Sequence, residues 1–341
     1  MKLFSSINLR STGESPDERS QLFSELLSSK PHIQSYIRTL ILSYRPARSK
    51  SVEHILSSLP KLRSISLHPT INYPYGWHSS FSVYLRDSFH AVFATTTLRR
   101  IELRSHSFDG PQELQRILSN SLSLTELVLD EICFEHVALR STEKHPGSPR
   151  TVLQSLGVFR MLPDVVDAVL DAFIAIDIKH LRSISCDRYQ NSLLQANTYS
   201  IQEHTLIVAN NPDVFHKDAL YAVLPPSTSL HTLHVRMRAY KTPVINRLGN
   251  LASLRALKKL TITATKRNLM GGRPEWPAVD SRLAEVGSGL ESVHLILTDY
   301  RDGDEVRYRQ LMPGLDAKGI LSVSLAPPGS GFGANPASHE L

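Results

Sequence analysis

The chain has 341 residues, of which 41% are hydrophobic and 21% charged, enough apolar material for a large core and too much for wholesale disorder. Lys and Arg number 38 against 32 Asp and Glu, a formal charge of +6, an excess that permits a nucleic-acid or anionic-lipid partner without requiring one. The two cysteines, Cys133 and Cys186, are too few for a disulfide framework or a cysteine zinc site and read as buried thiols.

In chain order, residues 1–19 read as a flexible N-terminal segment. The opening MKLFSSINLR has no sustained apolar core, and no Asn-x-Ser/Thr site occurs anywhere, so the expected location is cytoplasmic or nuclear. Ser20–Ser29 carries Leu22, Phe23, Leu26 and Leu27 at helical spacing. A motif then begins: aliphatic, two variable residues, aliphatic, one variable residue, aliphatic. It runs as Ile37–Leu42, Leu62–Leu67, Leu98–Leu103, Leu124–Leu129, Leu153–Val158 and Leu181–Cys186. It continues as a degraded copy at Glu203–Val208, then Leu230–Val235, Leu257–Ile262, Leu290–Leu295 and Ile320–Leu325. Between the copies, Phe81–Phe93, Pro111–Ser119 and Val214–Val223 have helical apolar spacing, and a further helix is expected to start near Val279. Pro111 and Pro163 stand where a first helical turn tolerates proline. Val165 to Ile178 is the most apolar stretch, but its aspartates make it an amphipathic helix rather than a membrane span. Residues 326–341 read as a disordered tail.

Successive motif starts lie 22 to 36 residues apart, close to the period of leucine-rich repeats, about 20–29 residues with insertions. In each copy the second and third aliphatics point to one side of a strand, and the following helix offers its apolar stripe to that side. Neither face can be buried alone, so neighbouring units must stack. The fold expected is therefore α/β: an irregular leucine-rich-repeat solenoid, a horseshoe with a parallel concave sheet and helices on the convex side, spanning residues 20–325 as one domain.

The third, fifth and seventh motif positions then face away from the core and line the concave sheet. Their charged members are Arg100, Arg104, Arg236 and Lys259 against Glu102, Glu126, Asp130 and Asp187, a balance that disfavours a nucleic-acid groove. Arg100, Glu102 and Arg104 adjoin Glu126 and Asp130 on the next strand, with Phe159 and Asp187 following. His234, Arg236 and Lys259 are expected to form a basic end, and Ile207 and Ile296 to be apolar and exposed. An aromatic anchor at Phe159 flanked by charges is the composition of a protein-binding surface. The strip, roughly 480 Å² in projection, is narrow beside the roughly 800 Å² per partner of a standard interface. Flanking loops should therefore contribute, and the aromatic run Tyr73, Tyr75 and Trp77 is the best candidate.

No catalytic or cofactor pattern is present: no GxxxxGK[ST], no HExxH, no GxSxG, and no GxGxxG between strand and helix,. Asp164, Asp167 and Asp171 share a helical face with no general-acid partner beside them. No catalytic residue, metal site, cofactor or small-molecule ligand is expected. The expected function is binding of an unidentified protein ligand by a monomer. The alternative is a nucleic-acid or acidic-membrane binder using a basic convex surface.

The segments HIQSYIRTLILS, ILSSLPKLRSISL, LTELVL and LKKLTI resemble the repeat region of the mushroom-type fungal F-box/leucine-rich-repeat family, and KLFSSINLR resembles the strand that follows the F-box there. The resemblance implies a substrate-recognition scaffold linked to a ubiquitin ligase. No leucine-proline F-box opening precedes the first helix, so a Skp adaptor and cullin ligase are expected partners only if an F-box is present elsewhere. The ninth motif position, asparagine in regular leucine-rich repeats, holds Thr70, His106 and Ile132, so the solenoid should be irregular.

Overall fold

The computed structural model describes residues 5–9, 16–44, 50–69, 75–77, 81–136, 151–172, 176–178, 180–186, 193, 197, 199–208, 229–237, 251, 256–265, 276–286, 289–298 and 304–326. The protein is α/β, and its close packing divides it into two compact units, Met1–Leu181 and Arg182–Leu341.

Unit 1 is built on six parallel strands in the order β1 (Ser6–Leu9), β2 (Thr39–Tyr44), β3 (Ser64–Pro69), β5 (Arg100–Arg104), β7 (Glu126–Asp130) and β10 (Ser155–Phe159). Parallel neighbours cannot be joined by a tight turn, and the connections carry helices: α1 (Pro16–Ser29), α2 (Lys50–Ser57), α3 (Val83–Phe93), α4 (Pro111–Ser119) and α5 (Pro163–Ala172). The alternation of the motif sets the core. Ile65, Leu67, Ile101, Leu103, Leu127 and Leu129 are fully buried, as are Ile55 of α2, Phe89 of α3 and Leu114 of α4. The pairs Ser64↔Arg100↔Glu126↔Ser155 and Ser66↔Glu102↔Val128↔Gly157 lie in register.

Helix entry is locally encoded. Ser82 caps α3 by accepting from the Leu85 N–H at 3.1 Å, and it donates to Glu53 of α2 at 3.0 Å. Pro111 opens α4, and Glu113 Oε2 accepts the N–H of Asp109, the residue before the N-cap, at 2.7 Å, tying the first turn to the incoming chain.

Three strands end in the same way. Ser105, Glu131 and Arg160, directly after β5, β7 and β10, have φ of 54°, 59° and 52°, a left-handed conformation that side chains resist. The Ser105 N–H bonds the Asp130 carbonyl and the Glu131 N–H bonds the Phe159 carbonyl, both at 2.8 Å, so the first two turns lean on the next strand. Beyond the turns runs a short parallel ladder of β4 (Tyr75–Gly76), β6 (His106–Phe108) and β8 (Cys133–Phe134), and a second of β9 (Thr151–Val152) with β11 (Ile176–Asp177).

Unit 2 carries six more parallel strands in chain order: β12 (Ser183–Cys186), β13 (Glu203–Val208), β14 (Thr232–Met237), β15 (Lys259–Ala264), β16 (Ser292–Leu297) and β17 (Leu321–Leu325). Its described helices are α6 (Trp276–Val286), α7 (Asp304–Arg309) and α8 (Pro313–Ala317). Buried Asp280 of α6 accepts the Gly314 and Leu315 N–H groups at 2.7 and 2.9 Å, tying the start of α8 to α6.

All eleven motif copies form strands, and several details differ from the sequence expectation. A twelfth strand, β1, pairs with β2 inside the segment read as flexible. The helix expected over Val165–Ile178 ends at Ala172, and Ile176 enters β11, where its side chain is buried. The degraded copy is displaced by two residues. Glu203 pairs with Thr232, so the copy starts at buried Ile201, and His204 occupies the second aliphatic position. The last copy is displaced likewise, with Leu321 opposite Val293. Trp77 is core, not a binding loop: it is 1% exposed and packs on Phe81, Phe89, His106 and Phe108. Tyr73, the Tyr75 side chain, Asp187, the Val214–Val223 helix and the tail beyond Ala326 lie outside the described residues. Among the described residues no helix is long and apolar enough to cross a membrane.

Candidate protein-binding face

The outer face of unit 1, away from the buried aliphatics, collects the charged residues of β5 and β7 into one network. Arg100 pairs with Glu126 across the strands and with Glu102 Oε2 at 3.2 Å along its own. Arg104 Nε lies 2.8 Å from Asp130 Oδ2 as an ion pair without hydrogen-bond geometry, and its Nη2 lies 3.6 Å from Glu102 Oε1. Arg160 Nε takes the other Asp130 oxygen at 2.7 Å, and its Nη1 reaches Glu131 Oε2 at 3.2 Å. Ser105 donates to the same Glu131 oxygen at 2.6 Å. His68 of β3 closes the other end, 3.7 Å from Glu102 and 2.6 Å from Ser66 Oγ.

Burial grades across this network. The Asp130 side chain is 7% exposed, Glu102 13% and Arg100 16%, whereas Arg104 and Arg160 are 32% and 46% exposed. Asp130 is therefore the sheltered hub, and the two arginines rise from it, Arg160 hydrogen-bonded and Arg104 ion-paired through Nε. Three arginines meet four carboxylates, so the patch is close to neutral and internally paired. Phe159 lies beside it, opposite Asp130 on β10. A Cβ on Gly157 would meet the Phe159 ring at 3.0 Å and Val128 at 3.2 Å. The absence of a side chain at 157 lets the ring fold over the sheet, leaving Phe159 partly exposed beside buried Val128.

Arg100, Glu102, Arg104, Glu126, Asp130 and Phe159 are thus brought together where the motif register placed them. Sequence reasoning missed Arg160, Glu131, Ser105 and His68. The first three sit in the left-handed turns, and none is glycine, so no residue signal marked those turns.

The outer face of unit 2 is different. His234, Arg236 and Lys259 do not form one basic end. Lys259 pairs with Thr232 and Arg236 with Thr263, which puts the two cations on opposite margins, about 13 Å apart along the strands. Lys259 is exposed, whereas Arg236 is 7% exposed. Ile207 is buried on this face and Ile296 half-buried. His234 Nε2 bonds Thr263 Oγ1 at 2.8 Å, and His294 Nε2 bonds Ser324 Oγ at 2.7 Å. Burial first, then Arg236 and His294, push the His234 pKa down to about 4. Burial also lowers that of His294.

Among the described residues, no group of three His, Cys, Asp or Glu side chains is arranged to hold a metal ion. Cys186 is buried and outside any disulfide, while Cys133 is half-buried, its pKa raised by burial and then by Glu131. No family model and no curated protein matches this chain.

Proposed function

We propose that the chain is an irregular leucine-rich-repeat solenoid that binds a partner protein through the outer face of its sheet and catalyses no reaction. The recurring strand-and-helix units, their in-register parallel ladders and the repeated left-handed turn after the strand support the repeat reading. The observation that carries the binding reading is the pair Arg104 and Arg160, held by Asp130 beside a part-exposed Phe159. Guanidinium groups fixed in advance lose little side-chain entropy on docking, and an aromatic ring among them supplies apolar area. The near-neutral network disfavours nucleic acid, which needs a run of positive charge.

The resemblance to mushroom F-box proteins extends the proposal: the partner is a substrate held for a ubiquitin ligase. Affinity purification of the chain from cytoplasmic and nuclear extracts with mass spectrometry tests both levels. A protein recovered by the wild type and lost with Phe159→Ala/Arg160→Ala supports the binding face. Co-recovery of Skp and a cullin supports the ligase link. A partner retained undiminished by the double variant refutes the face, and recovery of nucleic acid alone refutes the protein reading.

A further inference from the structure

We propose that unit 1 docks on an anionic phospholipid surface through the rim of its sheet at the N-terminal ends of the strands. This contact lies apart from the protein-binding face and does not depend on it.

Five short segments lead into the strands of unit 1. They are residues 30–38, 58–63, 94–99, 120–125 and 151–154, entering β2, β3, β5, β7 and β10. Together they hold five Lys or Arg residues and no Asp or Glu. Arg38, Arg63 and Arg99 stand immediately before their strands, and the backbone fixes them side by side. The Arg63 N–H bonds the Arg38 carbonyl and the Arg99 N–H bonds the Arg63 carbonyl, both at 2.7 Å. Neighbouring strands lie about 4.8 Å apart, and like charges at adjacent sheet positions repel. Arg38 and Arg99 each give a nitrogen to a neutral group, the Ser35 and Ser123 carbonyls, at 2.6 and 2.9 Å. Lys61 and Arg63 are exposed, and no described carboxylate forms an ion pair with any of these cations. In the same row of unit 2, by contrast, Lys258 is matched by Glu291 at 2.8 Å. The rim is apolar as well as basic: Tyr36, Leu122 and Val152, in the first, fourth and fifth segments, are 45%, 58% and 46% exposed.

Helix C-termini favour nearby cations, which accounts for some basic character where the chain leaves α1 to α4. A helix end gives no reason to expose a tyrosine, a leucine and a valine beside them. Unpaired cations and exposed apolar side chains on one edge are the composition of a peripheral membrane contact. The apolar groups enter the headgroup boundary, and Lys and Arg meet the anionic heads. Nucleic acid fits this rim less well. The arginine row is about 10 Å long, enough for few phosphates, and Leu and Val offer bases no ring to stack on. Phe159 stands at the opposite end of its strand and Arg160 just beyond it, so a docked rim leaves them open to a partner.

The test is co-sedimentation of the full chain with vesicles of phosphatidylcholine and phosphatidylserine mixed three to one, and with vesicles of phosphatidylcholine alone. The mixed vesicles should bind, less tightly as salt rises, and the neutral ones should not. Each basic residue at such a surface is worth about fivefold in affinity, so Lys61→Ala/Arg63→Ala should weaken binding about 25-fold. Leu122→Ser should weaken it while the salt dependence stays. Arg282→Ala/Arg307→Ala, two exposed cations of unit 2, removes the same charge and should bind like the wild type, as should Phe159→Ala/Arg160→Ala. Melting should be unchanged in the Lys61/Arg63, Leu122 and Arg282/Arg307 variants. Equal binding of both vesicles, binding of neither, indifference to Lys61→Ala/Arg63→Ala, or an equal loss with Arg282→Ala/Arg307→Ala each overturns the inference. So does a rim that ignores vesicles but holds an acidic peptide or a single-stranded oligonucleotide through Lys61 and Arg63. None of these results touches the protein-binding face, whose own test is partner capture by Phe159→Ala/Arg160→Ala.

Discussion

Replacing Asp130 by Ala tests whether the unit 1 network holds its arginines in place. Asp130 is almost fully sheltered and gives one oxygen to each of two Nε atoms, at 2.8 and 2.7 Å. At such distances an ion pair in an effective dielectric near 20 is worth about 6 kcal/mol of Coulomb energy, before desolvation is subtracted. Removing one partner of a fully buried pair costs about 3–5 kcal/mol. The two arginines are 32% and 46% exposed, so water recovers much of that loss, and about 2 kcal/mol is expected for Asp130→Ala. The readout is urea unfolding followed by Trp77, buried in unit 1, in a Trp276→Phe background. These are the chain's two tryptophans, so the signal belongs to one unit. A double-mutant cycle with Arg160→Ala should give a coupling of about 1 kcal/mol, and one with the less exposed Arg104→Ala somewhat more. Additivity of both pairs within about 0.3 kcal/mol would show that the arginines are not held through Asp130, and the preorganised face would have no basis.

Three other outcomes are expected. Gly157→Val drives a side chain into the Phe159 ring and Val128; it should displace the ring and weaken partner capture, with a stability loss of about 1–3 kcal/mol,, and a crystal structure with Phe159 unmoved would refute the crowding. A Cβ at 314 would lie 2.9 Å from Asp280 Oδ2, so Gly314→Ala should break the two caps of α8 and destabilise unit 2 by about 2 kcal/mol, read by Trp276; an unchanged transition would argue against the tether. Burial holds His106 down at about 3 and His204 at about 4, in each case partly offset by a backbone hydrogen bond. Folded-state values below the usual 6.5 mean that the unfolded chain binds more protons, so stability is full above about pH 6.5 and falls toward pH 4. Equilibrium unfolding across that window should show the slope, and His204→Leu should flatten it; a pH-independent midpoint would contradict the burial of these rings.

The strand positions were legible because a motif of fixed aliphatic spacing has only one way to bury both residues. The faces of the sheet were legible for the same reason, even where the register was not. At Ile201 and Leu321 the true pairing lies two residues from the expected one, and a slip of two leaves every side chain on its own face. What hid the shift at β13 is His204, a polar residue in an aliphatic slot that burial and the Ile184 carbonyl accommodate. Thus Arg100, Glu102, Arg104, Glu126, Asp130 and Phe159 could be assigned to one face from the chain alone.

Tertiary structure decided the rest. Trp77 has the composition of a binding loop around it, but the side ladder of β4, β6 and β8 turns it into the core, against three phenylalanines and His106. Arg160 and Glu131 join the network because non-glycine residues there adopt positive φ, which at Glu131 accompanies a bond to the neighbouring strand's Phe159 carbonyl and runs against local preference. Period-two alternation is a property of single strands and is written in the chain; the pairing of one strand's charges with the next, and the burial of each turn, depend on packing between residues about 26 to 30 positions apart.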